Sequence, residues 1–313
     1  MQLYPTLENR APANITCLEV LSKGGIKLRA AYAIPPNPKG TVLILGGRGE
    51  FMERYFETMN DLMRRGFAVA SFDWRGQGGS DRLLPNPLRG HIRNFADYDA
   101  DLDAVYSRVI IAHCPKPVYG LAHSTGGNLL LRALRGKKWL ERAVITSPLL
   151  GFHFGAWPVF IVKFLNFATW ITGLSWLFLP GFSKLPMKRQ DFPTNVLTSD
   201  RKRWDRDMTT LEQHPELAVS APTYAWLRAA MNSISELMDW PRGRGPSCPT
   251  LIVMAGQDRV VSNEDTRAFL ARAPGFSSIT IAESNHEILN EKTHIREHFL
   301  AAFDGFIETE KGR

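Results

Sequence analysis

The most restrictive feature of this sequence is the run PVYGLAHSTGGNLLLRAL at 117–134. An apolar strand passes directly into a helix, and Ser124 stands at the junction. A nucleophilic serine at such a sharp, strained turn needs small residues two positions away on either side. Gly126 meets that requirement and Ala122 leaves room for the turn. The geometry would expose the hydroxyl at the strand tip and aim a helix N-terminus at any oxyanion forming beside it. A serine that merely caps an ordinary helix has the same local sequence, so the rest of the chain must decide.

The order of elements narrows the choice. Residues 15–22 and 27–34 alternate like an antiparallel pair around Gly24-Gly25. Short apolar runs at 41–45, 67–72, 117–121, 142–146, 250–254 and 277–282 read as buried strands, with helical patterns at 51–65, 97–113, 125–135, 266–273 and 295–308. Strands alternating with helices predict an α/β fold, a mostly parallel sheet flanked by helices. Asp258 follows the 250–254 strand, and His286 follows the next one. Both loops leave the edge of the sheet where Ser124 lies, which is where such sheets bind ligands. Nucleophile, acid and histidine occur in the order that a serine hydrolase of this topology requires. Ser124 is the candidate nucleophile, His286 the general base and Asp258 its orienting acid. Gly46-Gly47-Arg48-Gly49 follows the first parallel strand, and a glycine-rich loop there can turn a backbone N–H toward the substrate. The candidate oxyanion hole is the N–H of Arg48 with that of Thr125.

Residues 151–220 interrupt the alternation. The stretch AWPVFIVKFLNFATWITGLSWLFLPG at 156–181 approaches the ~20 residues that span a bilayer. Pro158, Lys163, Asn166 and Gly173 break it up, and a single span would put the two halves of one sheet on opposite sides of the membrane. The expected organisation is a core of 1–150 and 221–313 with a helical cap at 151–220. An insertion this rich in Trp, Phe and Leu, among them Trp157, Trp170, Trp176 and Phe182, must bury against something. The cap is expected to line an apolar tunnel to Ser124 and to meet lipid on its outer face. Candidate substrate contacts are Gly47, Glu50, Trp170 and Trp176.

Composition excludes several classes. With 313 residues and 44% hydrophobic content the chain can build a sizeable core. Cys17, Cys114 and Cys248 are scattered, which makes neither a disulfide framework nor a zinc site. The first residues lack the pattern of a secretory leader, so a cytoplasmic setting is expected. The formal charge of +7 admits nucleic acid, acidic substrates or anionic lipid as partners. No nucleic-acid-binding motif is present, and the cluster RKRWDR at 201–206 reads as a solvated surface. His294-Ile295-Arg296-Glu297-His298 matches the H-x-x-E-H metalloprotease pattern, but only a short tail follows to supply a further ligand, so the run reads as a face of the last helix. No metal or organic cofactor is expected. His123 is expected to pack beside the elbow.

Taken together, GGRGEFMERY, FDWRGQGGS, LAHSTGG, GQDRVVS and SNHEIL resemble the monoacylglycerol lipase and lysophospholipase branch of the α/β-hydrolases. The resemblance extends to VLTSDRKRWDRD and HPELAVSAPTYAWLRAA and covers most of the chain. It implies an α/β-hydrolase fold and hydrolysis of a monoacyl lipid or similar carboxylic ester through an acyl-enzyme. Gly46 stands where the family often has histidine, and Thr125 where it often has methionine; neither change removes a backbone donor. A thioesterase or aminopeptidase would use the same triad, and a ligand receptor on this fold would have no use for it.

Overall fold

Strands that are apolar on both sides must be covered on both sides. The computed structural model, which describes residues 1–153, 159–180 and 191–308, shows how this is done. β3 (Thr41–Leu45), β4 (Ala68–Phe72), β5 (Val118–His123) and β7 (Thr250–Ala255) are buried along their whole length. With β1 (Thr16–Leu21), β2 (Lys27–Ala33), β6 (Arg142–Thr146) and β8 (Phe276–Ile281) they form one eight-stranded sheet in the order β1-β2-β4-β3-β5-β6-β7-β8. From β4 to β8 all pairs are parallel, whereas β2 lies antiparallel to both β1 and β4.

Successive strand residues serve opposite faces. Leu43, Leu45, Ala122, Ile145 and Ile252 face a core covered by α2 (Ala96–Val105), α4 (Thr125–Leu134), α7 (Tyr224–Met238) and α8 (Asn263–Arg272). Val42, Ile44, Leu121, Val144 and Val253 face α1 (Phe56–Arg64) and α9 (Thr293–Glu308). The helical pattern at 97–113 is realised as α2, a π-helical stretch at Tyr106–Ile110 and the short α3 (Ile111–His113). On α9, Ile295 and Phe299 are buried, while His294 and His298 are exposed.

The chain between β6 and β7 carries α5 (Val159–Ile171), α6 (Arg201–Gln213) and α7. Trp157 and Phe182 lie outside the described residues. α5 is apolar on two faces, but its outward stripe is bare: Phe160, Phe164, Phe167 and Ile171 are exposed, Phe160 to 71%. No helix among the described residues is long and apolar enough to cross a membrane.

The run 201–206 is solvated only at Arg201, Lys202 and Asp205. Helical spacing turns Arg203, Trp204 and Arg206 inward, where Arg203 Nη2 and Arg206 Nη1 each lie 2.6 Å from Glu57 on α1. Arg296 of α9 closes the cluster at 2.9 Å from Glu57 and 2.8 Å from Asp61. Burial works against the Glu57 carboxylate, but Arg203, Arg296 and Arg206 outweigh it and lower its pKa to about 2. A cluster that looked like surface charge therefore ties α6 to the sheet's helices.

Candidate active site

Ser124 has φ 53° and ψ −114°, a strained conformation for a residue other than glycine. Backbone bonds to both neighbouring segments hold it there. Its N–H donates to the Thr146 carbonyl at 3.0 Å, and its own carbonyl accepts from Asn128 at 3.1 Å and Leu149 at 3.0 Å. Gly126 is required by close approach, since a Cβ there would lie 2.3 Å from the Leu45 carbonyl oxygen. The first turn of α4 can thus press against the end of β3, where the glycine-rich loop begins.

The loops after β7 and β8 bring their side chains to this serine. His286 Nε2 is 3.0 Å from Ser124 Oγ, and His286 Nδ1 is 2.8 Å from Asp258 Oδ2. The second Asp258 oxygen accepts the Val260 and Val261 N–H groups at 2.8 and 3.0 Å. Burial would raise the Asp258 pKa; the His286 bond and charge and these two amides overcome it and hold the carboxyl below its usual range. Ionised Asp258 therefore fixes the imidazole with Nδ1–H toward the acid and the Nε2 lone pair toward the serine. The sequence reading did not find Ser147, which also has a positive φ of 44°. Its hydroxyl donates to the His286 carbonyl at 2.9 Å and anchors the histidine loop to the end of β6.

His123 packs against His286 with ring centroids 4.7 Å apart, and its Nδ1 lies 3.1 Å from Thr146 Oγ1. Burial, with the His286 charge, lowers the His123 pKa to about 3, so the ring is neutral near pH 7.

The loop after β3 is held from several sides. Trp74 Nε1 donates to the Gly46 carbonyl at 2.9 Å, and Gln77 Nε2 donates to the Gly47 carbonyl at 2.8 Å. Gln77 Oε1 accepts the Gly49 N–H at 3.0 Å. The turn at 73–80 is thus a brace for the loop. Glu50, which reaches the cavity wall, accepts the Gly47 N–H and the Tyr55 hydroxyl. The polar groups of Gly47 and Glu50, both candidate substrate contacts, are therefore engaged with one another. Among the described residues the N–H groups of Arg48 and Thr125 have no protein acceptor. Arg54 lies beside Glu50 (3.5 Å), Asp207 of α6 (2.7 Å) and Glu287, so it joins the loop, α6 and the segment next to His286.

Ser124, Arg48, Thr125 and His286 open onto a cavity of about 420 Å³, within the usual range for a small-molecule site. Leu149, Phe152, Val162, Leu165, Tyr224 and Trp226 supply its apolar wall. Trp170 and Trp176 do not line it. They lie on α5 and in the turn after it, 52% and 38% exposed. Arg228 stacks on Trp170 and Arg89 on Trp176, with guanidinium carbons 4.0 and 4.5 Å from the ring centres. The expectation that these two tryptophans line the way to Ser124 is not met; α5 lines the cavity with Val162 and Leu165 instead.

A mostly parallel sheet with serine after β5, acid after β7 and histidine after β8 defines an α/β-hydrolase. Residues 36–293 match the family model described as serine aminopeptidase, S33. Lysophospholipase L2 of Escherichia coli K12 is 32% identical over 275 residues, covering 85% of this chain and 79% of that protein. A probable lysophospholipase L2 of Haemophilus influenzae is 25% identical over 92% of this chain and 90% of its own. Monoglyceride lipase of Saccharomyces cerevisiae shares the fold with a TM-score of 0.71 at 16% identity, covering 98% of both chains. The chain belongs to the S33 family of α/β-hydrolases, is a serine hydrolase, and is related to the lysophospholipases L2.

Proposed function

We propose that this protein is a lysophospholipase, cleaving the acyl ester of a monoacyl glycerophospholipid through an acyl-enzyme on Ser124. The observation that carries this reading is the buried Ser124–His286–Asp258 line at the mouth of an apolar cavity large enough for an acyl chain. His286 Nε2 takes the Ser124 proton as Oγ attacks the ester carbonyl, and the Arg48 and Thr125 N–H groups receive the developing oxyanion. His286 then returns the proton to the leaving glycerol oxygen and activates water for deacylation. Asp258 keeps the imidazole in the tautomer both steps require.

Peptide hydrolysis from a free N-terminus needs a carboxylate for the substrate amine. Among the described residues the cavity carboxylates are Glu50 and Glu287, both committed to Arg54, which favours an ester substrate. The segment 151–220 acts in this reading as the cap, its inner residues Val162 and Leu165 holding the chain. The bare stripe of α5, with Arg228 and Arg89 stacked on neighbouring tryptophans, suits peripheral docking on anionic lipid. Profiling the pure protein on lysophospholipids, monoacylglycerols, acyl thioesters and aminoacyl anilides tests the assignment. Ester turnover that is abolished in Ser124→Ala supports it; turnover confined to aminoacyl anilides or thioesters refutes it.

A further inference from the structure

The Arg48 side chain has surroundings unlike those of Arg54, the other arginine at the catalytic end of the cavity. It lines the same cavity as Ser124. Among the described residues its guanidinium donates once, from Nη1 to the Ser220 carbonyl at 2.9 Å, and lies 5.6 Å from the ring centre of Trp226. Among the described residues no carboxylate comes within 4 Å of it. The contrast with Arg54, on the same cavity and beside three carboxylates, is direct. Burial lowers the Arg48 pKa to about 10, which still leaves it a full cation near neutral pH. The residue is half-buried, and holding a cation there without a counter-charge is unfavourable unless an anion arrives to pair with it.

On the catalytic reading above, the substrate brings that anion, and covalent geometry fixes where. The Arg48 N–H holds the ester carbonyl oxygen, and about six bonds separate that nitrogen from the guanidinium carbon. About six bonds likewise separate the carbonyl carbon of a 1-acyl lysophospholipid from its phosphorus. A side chain that starts at the oxyanion can therefore end at the phosphate. A planar guanidinium is the side chain best matched to phosphate oxygens, which it can engage with paired N–H groups. Arg259, exposed at the cavity rim, adds positive charge along the approach.

We propose that the Arg48 guanidinium is a phosphodiester subsite that makes this enzyme prefer lysophospholipids over uncharged monoacylglycerols. The inference rests on the lysophospholipase reading but can fail separately from it. The test measures kcat/KM on a lysophosphatidylethanolamine and on a 1-monoacylglycerol of the same acyl chain, in neutral detergent micelles, for wild type, Arg48→Met, Arg48→Lys and Arg259→Met. Because Arg48 also supplies the oxyanion amide, the quantity read is the ratio between the two lipids, in which any shared loss cancels. Wild type should favour the lysophospholipid, and Arg48→Met should lower the ratio at least tenfold, chiefly through KM. Arg48→Lys should recover part of it, and Arg259→Met should change it less than threefold. A second measurement uses sn-glycero-3-phosphoethanolamine as an inhibitor of short-chain ester turnover, where Arg48→Met should raise the inhibition constant by a similar factor. If lysophospholipids are cleaved with a ratio indifferent to Arg48, the subsite is refuted and the lysophospholipase reading stands. If wild type cleaves neither lipid yet the glycerophosphodiester inhibits through Arg48, the subsite stands and the substrate reading falls. If neither effect appears, both are wrong.

Discussion

Replacing Arg54 with methionine should damage the fold and the active site together. The guanidinium stands between Glu50, Asp207 and Glu287, whose side chains are 8%, 2% and 6% exposed. Methionine fills most of the volume but removes the cation that the three carboxylates share; Asp207 keeps Arg206 at 3.3 Å, whereas Glu50 and Glu287 lose their arginine. Breaking a buried ion pair from one side costs about 3–5 kcal/mol, because the remaining charge is stranded. Unfolding entropy of about 2 cal/mol/K per residue near the midpoint gives about 0.7 kcal/mol/K for a chain of 313 residues. The thermal midpoint should therefore fall by about 4–7 °C, as read by calorimetry. Activity should also suffer below the transition, since Glu287 adjoins His286 and Glu50 holds the amide of Gly47. Misplacement of the base or the oxyanion loop should lower kcat by on the order of 10–100-fold, with a smaller change in KM. Arg54→Lys keeps the charge but cannot reach three carboxylates, so it should fall between the two proteins. A midpoint within about 2 °C of wild type, with kcat unchanged, would show that the three carboxylates do not depend on Arg54.

Ser124→Ala should fold as wild type and lose on the order of a million-fold in ester turnover, measured with a chromogenic ester. Asp258→Asn should lower kcat about 10⁴-fold while leaving the circular dichroism spectrum intact, because the imidazole loses its orienting acceptor. Glu57→Gln should destabilise the protein at neutral pH. The Glu57 carboxyl is depressed to about 2 in the fold, so its contribution is complete above about pH 4.3 and disappears as the pH falls toward 2. Denaturant midpoints of the two proteins should therefore converge in acid; a constant gap would mean that the glutamate acts by packing alone. Phe164→Glu with Trp170→Glu should weaken sedimentation with anionic vesicles while sparing short-ester turnover, since Phe164 is 68% exposed and neither residue lines the cavity. Equal loss on soluble esters would place both residues in the core.

What could be read from the sequence follows from where its signals were local. The strand-to-helix turn at Ser124 requires small residues at fixed offsets, and the buried strands require unbroken apolar runs, so both are visible in a few residues. Asp258 and His286 were legible because the loops that carry them follow strands in a fixed topological order. The tryptophans of 156–181 misled because composition shows that a segment is apolar but not which side of it faces the cavity. α5 is apolar on both sides, and only its packing puts Val162 inward and Trp170 outward. The charges of 201–206 misled for a related reason: their partner, Glu57, lies about 150 positions away. Ser147 gave no signal, since a serine that braces a backbone carbonyl has no characteristic neighbours in sequence, whereas Gln77 is legible only as part of the turn in FDWRGQGGS.

The insertion between β6 and β7 also has a consequence for how the protein is made. β6 ends at Thr146 and its partner β7 begins at Thr250, so the pairing must wait for about a hundred intervening residues. A ribosome would release a chain with Ser124, β5 and α4 well before Asp258 and His286 emerge, and those two arrive only with the last two strands. The nucleophile therefore has no base until β7 and β8 have been synthesised and paired with the sheet as its edge. Pairings across such long separations are the slow ones to form. If that edge is also the first to peel away, hydrolytic competence is lost ahead of the bulk of the fold, and turnover reports on the carboxy-terminal edge earlier than any spectroscopic signal from the sheet.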